Sequence, residues 1–285
     1  MTAIEREIAS QPDVWTQAAR LAPKVDLFGD GRVAVIGCGT SYHVAVALAG
    51  LRGGETDAFP ASEAPLGRPY DRVLAISRSA TTTEVVEAFA RAPAGTERVA
   101  VVGVPGLPVG VAADREIALD FADESSVVQT RFATSVVALA RACLGEDMAP
   151  AIADAGRALA APLPLDPAAF DLHTFLATGW RIGLALEAAL KLREAAQAWC
   201  EAYPAMEYRH GPISLAGPRT AVWLVGEQPD GLAEEVRRMG STVVESDLDP
   251  LAQLVQAQRA AVSLAAARRL DPDQPRHLTR SVVLA

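Results

Sequence analysis

Short apolar runs alternate with stretches of helical length and character along most of the chain. The opening residues 4–21 read as a helix interrupted at Gln11-Pro12. Residues 32–36 then form a strand-like run that ends in Gly37-Cys38-Gly39-Thr40-Ser41 and passes into a helical stretch over 42–51. The alternation repeats. Residues 73–76 lead through Ser77-Arg78-Ser79-Ala80-Thr81-Thr82-Thr83 into a helix over 84–91; residues 99–104 end at Pro105-Gly106; residues 117–121 lead through 124–129 into a helix over 130–143. Continuous apolar runs of this length, separated by helices, predict a parallel sheet covered on both faces.

The Pro- and Ala-rich residues 158–167 read as a linker. Beyond them the pattern resumes with a short strand at 175–178, a long helix over 182–203, strands at 220–225 and 241–245 around a helix at 232–239, and a last helix over 251–269. The expected organisation is two α/β domains of similar design, residues 1–157 and 168–285.

At 285 residues, half of them hydrophobic, the chain has ample material for such cores. Its 26 Lys and Arg against 35 Asp and Glu give a net charge of −9 with no basic cluster, which argues against a nucleic-acid partner, because a phosphate backbone needs a positive footprint. Three scattered cysteines, Cys38, Cys143 and Cys200, have no metal-ligand spacing and suit a reducing compartment. The first residues carry acids and no apolar core of a signal peptide, and no run of about 18 apolar residues exists to cross a membrane. A cytoplasmic protein without membrane contact, metal or cofactor is expected.

The chemistry concentrates in three places. The turn at 37–41 joins two glycines to two hydroxyls at a helix start, where backbone N–H groups and the helix dipole favour an anion. The turn at 77–83 holds five hydroxyl side chains at an equivalent place, and turns at the carboxyl ends of strands are where open α/β sheets bind ligands. Ser and Thr also cap helices without further role, and from spacing alone both readings stand. The first turn lacks the third glycine of a dinucleotide fingerprint. In the long helix, Glu187, Lys191, Glu194 and Glu201 fall at offsets of zero, four, seven and fourteen, which at about 100° per residue is one narrow face. The helix is otherwise rich in Ala and Leu; inward-facing charges there need partners or a purpose, although a solvated stripe of ion pairs has the same spacing. Downstream, His210 sits in Tyr208-Arg209-His210-Gly211-Pro212, able to act as acid or base near neutral pH. His43, His173 and His277 are weaker candidates.

Together these motifs resemble the sugar isomerase (SIS) family, in the layout of the isomerase half of glucosamine-6-phosphate synthase. The resemblance runs from Glu7-Ile8-Ala9-Ser10-Gln11-Pro12 through the two hydroxyl turns, Glu187-Ala-Ala-Leu-Lys191-Leu-Arg-Glu194, Glu201-Ala-Tyr203 and Arg209-His210-Gly211-Pro212 to Asp273-Gln274-Pro275-Arg276-His277-Leu278-Thr279-Arg280-Ser281. It implies two SIS domains, each a flavodoxin-like three-layer αβα with a parallel sheet, in a homodimer with active sites at the subunit interface. It implies a sugar phosphate held at Gly39, Thr40, Ser41, Ser77, Arg78, Ser79 and Thr82, with backbone near Val127 and Gln129 helping. Glu194 matches the carboxylate that shuttles a proton between C1 and C2, with Lys191 and Glu187 beside it. His210 matches the ring-opening group, supplied by the partner subunit in relatives.

Three departures shape the functional expectation. Thr2 follows Met1 where the synthase carries a catalytic Cys, and no glutaminase segment precedes the match, so glutamine-dependent transfer is not expected of this chain alone. Ala80-Thr81 replaces Gly-Glu, as in stand-alone relatives. Arg280 stands where the synthase has an imine-forming lysine; a guanidinium cannot form that imine but can bind phosphate or hydroxyl. The expected function is isomerisation or deamination of an amino-hexose 6-phosphate. A 6-phospho-fructosamine deglycase and a catalytically silent phosphosugar sensor are the alternatives.

Overall fold

The computed structural model describes residues 1–284. In chain order the elements are α1 (Ala3–Ala9), α2 (Gln11–Leu21), β1 (Val33–Gly37), α3 (Thr40–Arg52), β2 (Thr56–Pro60), β3 (Arg72–Ser77), α4 (Thr83–Arg91), β4 (Glu97–Val102), α5 (Pro108–Val111), β5 (Arg115–Ala118), α6 (Arg131–Cys143), α7 (Ala149–Ala160), β6 (Leu172–Ala177), α8 (Ile182–Ala196), β7 (Trp199–Pro204), β8 (Thr220–Val225), α9 (Leu232–Arg238), β9 (Thr242–Val244) and α10 (Pro250–Ala267). Every strand pairing is parallel. The first sheet has the order β2-β1-β3-β4-β5 and the second β7-β6-β8-β9. Both place the second strand outside the first and then run on the other way, the flavodoxin-like winding that opens a switch point between the first and third strands. The α/β fold with two three-layer halves is therefore as the sequence predicts.

The apolar runs explain which strands are central. Residues 33–37, 72–77 and 220–225 are buried throughout, and the inner strands meet helices on both faces. In the first unit, Ile36, Val73 and Val102 pack with Val85 and Phe89 of α4. In the second, Leu176, Val222 and Leu224 pack with Leu232 and Val236 of α9 and with Tyr208. A buried polar chain joins α2 to α6: Trp15 Nε1 donates to Thr134 Oγ1 at 2.8 Å, which lies 2.7 Å from Gln11 Oε1.

Contacts divide the chain differently from the expected 1–157 and 168–285. One unit combines Met1–Ala9 with Pro150–Leu278; the other combines Ser10–Ala149 with the tail from Thr279 onward. The reasons are local. The amides of Ala3 and Ile4 donate to the Asp273 carboxylate at 2.7 and 2.9 Å, which fixes α1 to the second-sheet unit. Part of the expected linker is the end of α7, where Ala151, Ala155 and Ala158 are buried and Asp154 accepts the Asp249 amide at 2.7 Å. Ser281 in the tail bonds hydroxyls of the first-sheet unit.

Two elements correct the sequence reading. The long helix ends at Ala196, not Tyr203, because Gln197 turns left-handed (φ 52°, ψ 38°) and its N–H closes onto the Arg193 carbonyl. The following residues form β7, so Glu201 pairs beside Thr174 instead of sharing the helical face of Glu194. β2 (Thr56–Pro60) lies in a stretch to which the apolar pattern assigns no element. Both are edge strands, mostly half-buried, and lack the continuous apolar run that marks an inner strand.

Gln197 is a non-glycine residue at a helix terminus that favours glycine. Gln197→Gly is expected to raise the unfolding free energy by about 0.5–1 kcal/mol, read as an increased urea midpoint at unchanged slope. A lower midpoint would show that the glutamine side chain contributes more than the strain it carries.

Candidate active site

α8 carries the most concentrated buried charge in the second-sheet unit. It is apolar on nearly every side, and its buried residues include Glu187 and Lys191 themselves. Lys191, with its side chain 1% exposed, places Nζ 3.0 Å from Glu187 Oε1 and 2.6 Å from Glu194 Oε2. Burial pulls the lysine pKa down, but the two facing carboxylates outweigh it, and the net shift is upward. The solvated-stripe reading of this face is thereby excluded for Glu187 and Lys191. Glu194, the outermost of the three, is one-fifth exposed and opens into a cleft of about 410 Å³. Trp199, Arg276, His277 and Leu278 also line it.

The fourth expected member of the row lies elsewhere. Glu201, on β7, accepts from Thr174 Oγ1 at 2.9 Å and from Tyr203 OH at 3.1 Å. His210 ends a one-turn 3₁₀ helix held by the buried Tyr208 and followed by Gly211 at φ 143°. Burial, with the Glu201 charge second, pushes the Tyr208 phenol up to about 12. His210 is exposed and does not line the Glu194 cleft.

The two hydroxyl turns both belong to the first-sheet unit. Gly37 is required by space: a Cβ there would sit 2.6 Å from the Ser41 carbonyl carbon. Gly39 is required by conformation, at φ 55° and ψ −123°. Thr40 and Ser41 open α3 and are buried, while the amides of Ser41, Tyr42 and His43 are already taken by the Cys38 and Gly39 carbonyls. The offer to an anion at this turn therefore rests on its hydroxyls more than on those amides. Thr82, at the start of α4, makes no side-chain capping bond to its helix, so simple capping does not explain that hydroxyl. In the second turn the buried Ser77 Oγ has no hydrogen-bond partner, and neither has Gln129 Oε1. Ser79 Oγ lies 3.1 Å from both Thr81 Oγ1 and Ser281 Oγ. Arg78 is 2% exposed, and its Nη1 donates to the carbonyls of Ser126 and Val127 at 2.7 and 3.3 Å. Arg280 donates to Asp123 Oδ1 at 2.6 Å and to the Glu124 carbonyl.

No family model matches the chain. Its sequence is 30% identical to the isomerizing glutamine–fructose-6-phosphate aminotransferase of Aeropyrum pernix, over 90% of this chain and 52% of that protein. It is 29% identical to the enzyme of the same description from Pyrobaculum aerophilum, over 98% of this chain and 57% of that one. The chain thus spans about half the length of the curated relatives it matches. The crystal structure of glucosamine-6-phosphate deaminase from Thermotoga maritima superposes with a TM-score of 0.84 at 25% identity, covering 99% of this chain and 100% of that one. The homologues of this chain are the isomerase (SIS) domains of glutamine–fructose-6-phosphate aminotransferases. Tagatose-6-phosphate ketose/aldose isomerase from Escherichia coli shares the SIS fold, with a TM-score of 0.76 at 18% identity over 96% of this chain and 95% of that one.

Within this chain, the structure brings Glu187, Lys191 and Glu194 together in one unit. In the other unit it holds Ser77, Arg78, Ser79 and Arg280 in one hydrogen-bonded neighbourhood with the 123–128 segment. Sequence reasoning overlooked Trp199 and Arg276, and ranked His277 low. The one available signal was that residues 276–278 fall inside the family's tail motif. Among the described residues no group of three or more His, Cys, Asp and Glu is placed to hold a metal ion.

A buried ion triad is costly to break and cheap to replace whole. Lys191→Ala, which strands Glu187 without its cation, is expected to cost about 3–5 kcal/mol of unfolding free energy. The double variant Lys191→Met/Glu187→Leu should cost clearly less, as judged by urea unfolding. Because the folded-state pKa of Lys191 is raised, its stabilisation is complete below the unfolded lysine value and is lost as pH rises through the folded one. The wild-type protein should therefore lose stability in the alkaline range more steeply than the double variant.

Proposed function

We propose that the chain is a phosphosugar enzyme that moves a proton between C2 and C1 of an amino-hexose 6-phosphate and releases ammonia. The observation that carries this reading is Glu194: a carboxylate held by a buried lysine and open to a cleft large enough for ligand atoms. The unpartnered Ser77 hydroxyl supports it from the binding side, since a buried donor left unsatisfied is costly unless a ligand oxygen completes it.

In the proposed reaction the hydroxyls of Ser41, Ser77, Ser79 and Thr82 hold the phosphate. With the sugar ring open, Glu194 takes the proton from C2 while the C1 aldehyde oxygen gains one, which gives an enolamine. Glu194 then returns its proton to C1, leaving an iminium at C2. Water adds there, and ammonia departs as the ketose forms. Lys191 orients the carboxylate through the 2.6 Å contact. Arg280 is compatible with this route, which requires no lysine imine. His210 would open the ring; its absence from the Glu194 cleft fits the expectation that a partner subunit supplies it in a cytoplasmic homodimer.

A second reading, the deglycase, is favoured by the wall of the cleft. Trp199 is 83% exposed there, beside Leu278, Arg193 and Arg276. An apolar face with guanidinium groups suits a substituted amine with an apolar stem and a carboxylate better than it suits ammonia alone.

Purified protein given glucosamine 6-phosphate or galactosamine 6-phosphate should yield ammonia and ketose 6-phosphate in equal amounts. Release of an amino acid from a 6-phosphorylated fructosamine instead would select the deglycase. Binding of all three without product would leave a sensor. A positioned base contributes about 10²–10⁴-fold, so Glu194→Gln should lose turnover by that order while keeping substrate affinity. Wild-type turnover in this variant would remove Glu194 from the mechanism.

A further inference from the structure

Two arginines of the first-sheet unit hold each other's segments in place. Arg78, inside the second hydroxyl turn, donates Nη2 to the Arg280 carbonyl at 2.9 Å and Nη1 to the carbonyls of Ser126 and Val127. Arg280, in the tail, sends its guanidinium back to the Glu124 carbonyl and the Asp123 carboxylate. Glu124 ties the two sides together: its carboxylate faces Arg78 Nη1 at 3.8 Å and accepts the Thr130 and Arg131 amides at 2.5 and 2.8 Å, at the start of α6. So seated, the tail runs along the turn. Ser281 Oγ lies 2.8 Å from Thr81 Oγ1, the Thr83 amide donates to the Val282 carbonyl at 3.3 Å, and the Leu284 amide donates to Thr83 Oγ1 at 2.9 Å.

Both arginines read from the sequence as groups that touch the substrate. Their geometry says otherwise. Arg78 is buried among carbonyls, and a phosphate reaching the Nη groups of Arg280 would have to displace Asp123 or the Glu124 carbonyl. We propose that Arg78 and Arg280 are positioning residues, a reciprocal clamp that seats the tail on the hydroxyl turn and thereby sets that turn's affinity for the phosphate of the sugar. The proposal rests on the phosphosugar reading for its functional half only; the clamp itself is a property of the unliganded chain. Arg280 thus does mechanical work at the position where the synthase resemblance placed an imine-forming lysine.

The full chain tests this with Asp123→Ala, which frees Arg280 without touching any residue assigned to the ligand, and with Arg280→Lys, which keeps a cation for Asp123. Hydrogen exchange at the Thr83 and Leu284 amides reads the clamp without any substrate, and steady-state kinetics with the turned-over hexose phosphate reads its consequence. The Asp123–Arg280 pair is only partly buried. Asp123→Ala should therefore speed exchange at both amides and raise KM by about three- to tenfold, with kcat near wild type, the pattern of lost uniform binding. Arg280→Lys should keep most of the protection at both amides and a KM near wild type. Unchanged exchange in Asp123→Ala overturns the clamp. A KM that rises in Arg280→Lys while both amides stay protected also overturns it, because Arg280 would then be a ligand. If wild-type protein neither binds nor converts any hexose 6-phosphate, the phosphosugar reading fails, and the exchange measurement still decides whether the clamp exists.

Discussion

Everything chemical in the second-sheet unit depends on one desolvated ammonium group. Lys191 sits on a helix of Ala and Leu, and taking its charge out of water would cost several kcal/mol if it stood alone. Glu187 below it and Glu194 above it remove that cost by facing it at 3.0 and 2.6 Å. Spacings of four and three residues make this possible, because they return to the same side of a helix. The arrangement also has a direction: the inner carboxylate is buried with the lysine, while the outer one opens into a cleft. A buried pair of this kind is weak evidence for stability but good evidence for a held geometry, since the lysine fixes where the outer carboxylate stands.

The first-sheet unit handles its polar groups differently. Its hydroxyls gather where strands end and helices begin, because those turns are the places in a covered parallel sheet where the chain reaches the surface. Gly37 and Gly39 are there for space and conformation, and Ala80 takes a left-handed turn (φ 55°) without glycine's freedom. Some hydroxyls find partners in the tail, and Ser77 finds none. The turn is thus partly satisfied by its own chain and partly unsatisfied, a state that a phosphate's oxygens would complete.

Much of the candidate site's local arrangement is legible in the sequence. The hydroxyl turns and the face shared by Glu187, Lys191 and Glu194 follow from residue type and spacing, whereas His210, flagged in the same way, does not line the Glu194 cleft. What spacing could not supply was the point at which the helix stops. Glu201 has a helical offset from Glu194, yet Gln197 adopts the left-handed conformation, and the residues after it pair with β6. The same blindness hid Trp199, which reaches the cleft only because that edge strand starts where it does.

The sequence by itself determined the inner strands, the alternation of helices that cover both faces of the sheet and the residue types at each turn. These follow from local hydrophobic pattern and backbone conformation, which neighbouring residues specify. Only the tertiary structure decided the partition of the chain, with α1 grouped with the second sheet and the tail with the first. It also decided the use of Arg78 and Arg280, whose guanidinium groups went to carbonyls and a carboxylate of the chain. The physical reason is one of range. Periodicity is a property of a few adjacent residues, whereas the partner of a charged side chain is fixed by whatever the fold brings within about 3 Å of it, as Asp273 is brought to the amides of Ala3 and Ile4.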